Sequence, residues 1–217
     1  MLLINEFEKK YGVRITTNHT AKMANMCSLS TACTMNKYCK SRTANPKMIC
    51  FKCYANSQAK RYKGLREKLE KNTDILTSII IPKKDLPYLY SPSGLFRFEA
   101  FGDLINEIQV VNYFNMASAN KQLKFALWTK NPWIIRKAIE AYNLKKPSNL
   151  VIIGSSYFLN ESMTYQAYPF IDKVFTVYDK KTAAEKEINI NCGGRSCATC
   201  RRCYSKQTGR EVSELVK

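Results

Sequence analysis

The chain predicts an α/β fold, either a partial (β/α) barrel or an open parallel sheet. Three observations carry that reading. Strand-type and helix-type apolar periodicities alternate through the middle of the 217 residues. Hydrophobic residues make up 45% of the chain, enough for a sizeable core. The nine cysteines fall into two groups, with none between Cys53 and Cys192, so the expected fold carries cysteine-rich metal-binding loops at the carboxyl ends of its strands. A single domain is expected, with a cysteine loop over 27–53, an α/β core over 54–180 and a C-terminal cysteine knot over 192–203.

The elements follow in order. Val13-Arg14-Ile15-Thr16-Thr17 suits a first strand, and the stretch from about Tyr54 to Ile80 a long basic helical region. Leu95 to Phe101 alternates with period two, as a strand does. Ile105, Ile108, Val111 and Phe114 recur at helical spacing between Leu104 and Ala119. Lys124–Thr129 reads as the next strand, and Pro132 suits the first turn of a helix running to about Tyr142. Leu150-Val151-Ile152-Ile153 is a continuous apolar run, as in a strand buried on both faces, and Lys173–Tyr178 is a further strand. About five parallel strands with crossover helices result.

The second cysteine group reads Cys192-x4-Cys197-x2-Cys200-x2-Cys203. One short loop folds four thiolates around a centre, and consecutive x2 steps are closer to ferredoxin-type runs than to paired zinc knuckles. An iron–sulfur cluster is the first reading, zinc the alternative, and a redox dithiol the third. The first group is looser. Cys50 and Cys53 form its C-x2-C pair and Cys39 is the nearest third ligand, with Cys33 or Cys27 as the fourth. Two four-thiol sites use eight cysteines, and Cys27 is the one set aside as a buried thiol.

Thirty-five Lys and Arg against 17 Asp and Glu give a net charge of +18. Two four-thiolate centres of about −2 each would leave about +14, so an anionic partner is expected, a nucleic acid or nucleotide first. The basic helical region around Lys60, Arg61 and Lys63 is most simply a solvated face. No apolar run is long enough for a membrane span and the N-terminus lacks signal-peptide character, so a cytoplasmic location is expected, where clustered cysteines are metal ligands or redox groups. His19 is the sole histidine and lies outside the strand ends.

In a parallel α/β sheet, ligands bind at the strands' carboxyl ends. Both cysteine groups are expected there, the first after the first strand and the second after the last. Polar residues ending the strands are the other candidates. Glu99, Asp103 and Lys130 are the candidate catalytic residues, and Glu99, Gly102, Asp103, Thr129, Ser155 and Ser156 the candidate cofactor-binding residues. Cys33, Cys39, Cys50, Cys53, Cys192, Cys197, Cys200 and Cys203 are the candidate metal ligands.

Lys22-Met23-Ala24, Ser28-Leu29-Ser30-Thr31, Cys39 and Cys50-Phe51-Lys52-Cys53-Tyr54-Ala55 resemble the start of the phage gene product 88 family. Arg97-Phe98-Glu99 with Gly102-Asp103, Trp128-Thr129-Lys130 and the closing Cys192-Gly193-Gly194, Cys197, Cys200 and Cys203-Tyr204 continue that resemblance. It implies a bacteriophage or prophage origin, with the host cytoplasm as location. The layout also resembles radical S-adenosylmethionine (SAM) enzymes. That likeness implies a 4Fe–4S cluster on Cys39, Cys50 and Cys53, with Glu99 near the SAM amino group and the C-terminal four cysteines as an auxiliary cluster. The usual C-x3-C-x2-C run is absent. The expected function is a radical-SAM-like oxidoreductase or modifying enzyme, fed by an electron donor and acting on an anionic substrate. The alternative is a non-enzymatic, metal-stapled protein that binds nucleic acid or a host protein.

Overall fold

The computed structural model describes residues 1–216. Helix α1 (Ile4–Tyr11) opens the chain. Six strands then form one sheet: β1 (Cys27–Leu29), β2 (Leu95–Phe98), β3 (Lys124–Thr129), β4 (Leu150–Ser155), β5 (Lys173–Tyr178) and β6 (Glu211–Leu215). Their spatial order is their order in the chain, and every neighbouring pair is parallel. The first and last strands are the two edges, so the fold is α/β with an open six-stranded parallel sheet.

Parallel neighbours require crossovers, and helices supply most of them. Between β1 and β2 lie α2 (Lys37–Thr43), α3 (Tyr54–Arg61) and α4 (Lys63–Leu76). Helix α5 (Glu107–Ala119) joins β2 to β3, and α6 (Pro132–Tyr142) joins β3 to β4. Helices α7 (Lys180–Glu185) and α8 (Cys197–Cys200) lie between β5 and β6. Asn106 caps α5 by accepting the Gln109 amide at 3.1 Å, and Pro132 occupies the first turn of α6.

Because side chains alternate along a strand, the sheet has two chemically different faces. Phe96, Phe98, Phe125, Leu127 and Ile152 pack with Tyr113 of α5 and Ile135 of α6. Phe98 stacks on Tyr113 at 4.2 Å and on Phe125 at 5.2 Å between ring centroids, each ring contributing about 1.5–3 kcal/mol by burial. On the opposite face Leu95, Ala126, Val151, Ile153, Phe175 and Val212 meet Tyr204 and the C-terminal cysteine segment. Helices α5 and α6 therefore cover one face, and the C-terminal cysteine segment with its short helix α8 covers the other.

Four expectations need correction. Residues 13–17 are not a strand, although Val13 and Ile15 are buried. Side chains satisfy their backbone: Asn72 bonds both the amide and the carbonyl of Arg14, and Glu8 accepts the Ile15 amide at 2.9 Å. Only Thr16 bridges, antiparallel, to Ser28. The first strand is Cys27–Leu29 instead, so Cys27 sits in the sheet. The basic helical region is two helices, broken at Tyr62, whose φ of −115° and ψ of 101° are extended. Strand β2 stops at Phe98 because Glu99 turns left-handed, at φ 57°. Finally, a sixth strand follows the second cysteine group, which is thus part of the β5–β6 crossover.

Candidate functional site

Two carboxylates organise the ends of β1, β2 and β3. Glu99, 2% exposed, ends β2. It accepts the Thr31 amide at 3.2 Å, the Thr31 hydroxyl at 3.1 Å, the Gln109 amide at 2.6 Å and the Tyr113 hydroxyl. Burial pushes its carboxyl up to about 7, against the hydrogen bonds from Tyr113 and Thr31. Gly102 packs against this pair: a Cβ there would collide with the Thr31 carbonyl and lie 2.5 Å from Glu99 Oε2.

Asp103 is the second hub. It accepts Arg42 Nη1 at 3.2 Å, the Thr129 hydroxyl at 2.6 Å, the Lys130 amide at 3.0 Å and the Leu104 amide at 2.8 Å. Arg42, from α2, is itself buried. Its other nitrogen donates to Asn131, and its guanidinium lies 5.1 Å from the Tyr157 ring and 5.8 Å from the Trp133 ring. Asn36 fastens the cysteine loop to this centre. Its amide donates to the carbonyls of Asp103 and Leu104 at 3.0 and 3.1 Å, while its oxygen caps α2 through the amides of Tyr38 and Cys39.

The Lys130 ammonium donates to the Ser155 hydroxyl at 2.5 Å. Burial lowers its pKa, opposed by Cys50 and Asp103 beside it. Ser156 is buried and its hydroxyl has no partner. Thr129, Lys130, Ser155 and Asp103 are thus brought together. Glu99 and Gly102 form an adjacent, internally satisfied knot with Thr31.

Cys33, Cys39, Cys50 and Cys53 gather on this end. Cys33 feels Cys53, Cys39 feels Cys33 and Cys50, and Cys50 feels Cys53, a closed circuit of four thiols. Burial pushes the Cys33 thiol up to about 11, with Cys53 adding to it, and raises Cys39 further. Burial also raises Cys50, opposed by Lys130. Cys27 is separate, buried in β1 with its sulfur near Ser91.

The second group does not sit at the strand ends. Cys192 bridges to Glu214 of β6, and from there the segment, with its short helix α8, runs over the sheet face opposite α5 and α6, where Cys192, Cys197 and Cys203 pack with Trp128, Phe175 and Tyr204. It reaches the opposite end of the strands, where Arg201 donates to Ser93 O at 2.7 Å and Lys173 to Thr208 O at 2.7 Å. Its position follows from β6: a loop between two strands of one sheet can lie across that sheet. All four thiols line a cavity of about 750 Å3 with Lys22, Arg97 and Trp128. Lys22 bonds Cys192 Sγ at 3.0 Å and Glu214 at 2.9 Å. Burial pushes Cys203 up to about 12, Cys192 adds to it, and Arg97 opposes.

All nine cysteines are free of disulfides. Among the described residues, no group of three or more His, Cys, Asp or Glu side chains is arranged to hold a metal ion, so the metal-binding loops expected from the spacing are not established. No helix among these residues is long and apolar enough to cross a membrane. Arg42, Asn36, Asn131, Tyr157, Gln109 and Tyr113 escaped the sequence reading, since polar residues at irregular spacing carry no signal of tertiary pairing.

An open parallel α/β sheet with one thiol group at its strand ends and another across its bare face defines the class. The chain belongs to the Gene product 88 family, whose model matches residues 4–213, in keeping with the bacteriophage resemblance. No curated protein and no solved structure matches it.

Proposed function

We propose that this protein is an iron–sulfur oxidoreductase or modifying enzyme of the host cytoplasm. Its working centre would be the Cys33, Cys39, Cys50 and Cys53 group, fed by an external electron donor and acting on an anionic substrate. What supports the reading is that four buried or part-buried thiols lie near enough to one another at the strand ends to raise one another's pKa, beside Lys130 and the Arg42–Asp103 pair. Four neutral thiols need no cations. Four thiolates on an iron–sulfur cluster carry net negative charge, and buried cations offset it.

Such a cluster supplies one-electron transfer. The residues around it have separate tasks. Asp103 holds Arg42 and the Lys130 backbone in place, Asn36 fixes the start of the Cys39 helix, and the Lys130 ammonium and Ser155 hydroxyl present donors to an anionic group.

The sequential order of the six parallel strands supports a likeness to a sector of a (β/α) barrel. SAM has no place in this reading, because Thr31, Gln109 and Tyr113 occupy the Glu99 oxygens. Anaerobically purified protein is expected to be brown, with broad absorption near ~400 nm that bleaches with dithionite, and to form no 5′-deoxyadenosine from SAM. Colourless protein carrying stoichiometric zinc would overturn the redox reading in favour of a metal-stapled binding protein.

A further inference from the structure

From Lys9 to Arg66 the chain carries thirteen Lys and Arg and no Asp or Glu. Lys37, Lys40, Lys47, Lys52 and Lys60, all exposed, lie in or beside the first cysteine loop. Exposed aromatic rings sit among these charges. Phe51 directly follows Cys50 and is 50% exposed, and Tyr54 directly follows Cys53 and is 58% exposed. The Tyr54 hydroxyl donates to the Ala100 carbonyl, which holds the ring in place. Its centroid lies 6.0 Å from that of Phe101, which stacks at 6.5 Å on His19. Tyr54, Phe101 and His19 thus form a row, and Phe51 lies three residues before Tyr54 in the same loop; none of the four belongs to either hydrophobic core, so core packing does not explain them.

We propose that this row is a binding platform for single-stranded nucleic acid, with bases stacking on Phe51 and Tyr54 and phosphates tracking the lysines of the cysteine loop. Half-exposed rings interleaved with lysines are what an unpaired strand uses: every base has a π-face, and every nucleotide brings a charge. A duplex hides its base faces in the stack, leaving the rings nothing to receive. Two further cations lie along the row. Lys68 bonds Thr16 at 2.7 Å and stands near His19. Arg97 lies 4.5 Å over Trp128, and its Nε–H is buried without a partner. The proposal deepens the functional reading above by naming its anionic substrate, and rests on it only for the centre that lies beneath the strand.

Fluorescence anisotropy on the anaerobically purified full chain tests it, with a labelled single strand of about 15 nucleotides and the duplex of the same sequence. The single strand is expected to bind more tightly, with a log–log salt slope of about −0.7 per neutralised phosphate. Phe51→Ala and Tyr54→Ala are each expected to weaken it about tenfold, while Tyr54→Phe, which keeps the ring and loses only the hydroxyl that fixes it, loses less than Tyr54→Ala. Circular dichroism melts confirm that the variants fold. Preference for the duplex, wild-type affinity in both alanine variants, or no binding at low salt would overturn the platform. Iron content of the same samples separates the two claims. Colourless protein that binds through the rings supports the platform and sinks the cluster, whereas brown protein that binds no strand sinks the platform alone.

Discussion

The thiols at the strand ends and those across the sheet face are assembled in opposite ways. Cys33, Cys39, Cys50 and Cys53 come from the loop after β1, α2, the turn before α3 and the cap of α3. They are held by polar contacts to residues far along the chain: Arg42 to Asp103, and Asn36 to Leu104. Cys192, Cys197, Cys200 and Cys203 come from one short stretch, seated by apolar contact with Trp128, Phe175 and Tyr204 and by the Lys22–Glu214 pair. The first group depends on the loops after β2 and β3 being in place. The second is local, and its spacing alone announces it.

That contrast can be broken most forcefully at Asp103. Replacing it with Ala leaves the Arg42 guanidinium buried and unpaired, so stability in a denaturant titration should fall by about 3–5 kcal/mol. Cys192–Cys203 should still form, so iron retained by Asp103→Ala should belong to the second group. If both groups lose iron equally in folded protein, the two are not independent.

Glu99 sharpens the same point through pH. Its folded pKa, about 7, lies above the ordinary 4.5, so the folded state prefers the protonated carboxyl. The stability this confers is fully present below pH 4.5 and is lost as pH rises through 7. The loss should approach about 3 kcal/mol by pH 8, and a Glu99→Gln chain should show a flatter profile. A wild-type profile that rises from pH 5 to 8 would contradict this.

Glycines give the next largest difference. Gly102→Ala drives a methyl group into Thr31 and Glu99 and should cost about 1–3 kcal/mol. Nothing lies within 4 Å of a Cβ at Gly194, and Gly194→Ala should stay within about 0.5 kcal/mol of wild type. Chemical denaturation midpoints compare the two directly. The smallest effect belongs to Lys22→Ala, which removes a part-exposed pair with Glu214 and a contact to Cys192. About 1 kcal/mol or less should go, together with faster Cys192 labelling by a thiol reagent.

Legibility in the sequence followed the same divide. The bounds of β3, β5 and α6 were readable because their apolar periods are clean and Pro132 marks a helix start. Strand β6 was not. In Glu211-Val212-Ser213-Glu214-Leu215 only Val212 is a fully buried apolar residue, and pairing with β5 rather than composition makes it a strand. Missing it misplaced the second cysteine group, whose thiols were legible but whose seat depends on the strand that follows. Val13 and Ile15 looked like strand residues because they are apolar, and both are buried, yet Asn72 takes the backbone bonds of Arg14 between them and Glu8 that of Ile15. Arg42 is the sharpest omission. A lone arginine in a basic loop reads as surface, and only Asp103, sixty-one residues away, makes it interior.

Iron counted per chain in air-free protein tests the central claim most directly. On the proposal that each thiol group holds its own cluster, the wild type is expected to carry about eight irons and each of Cys50→Ser and Cys200→Ser about four, with matching acid-labile sulfide. A wild type without iron, or one variant that empties both groups while remaining folded, would contradict it.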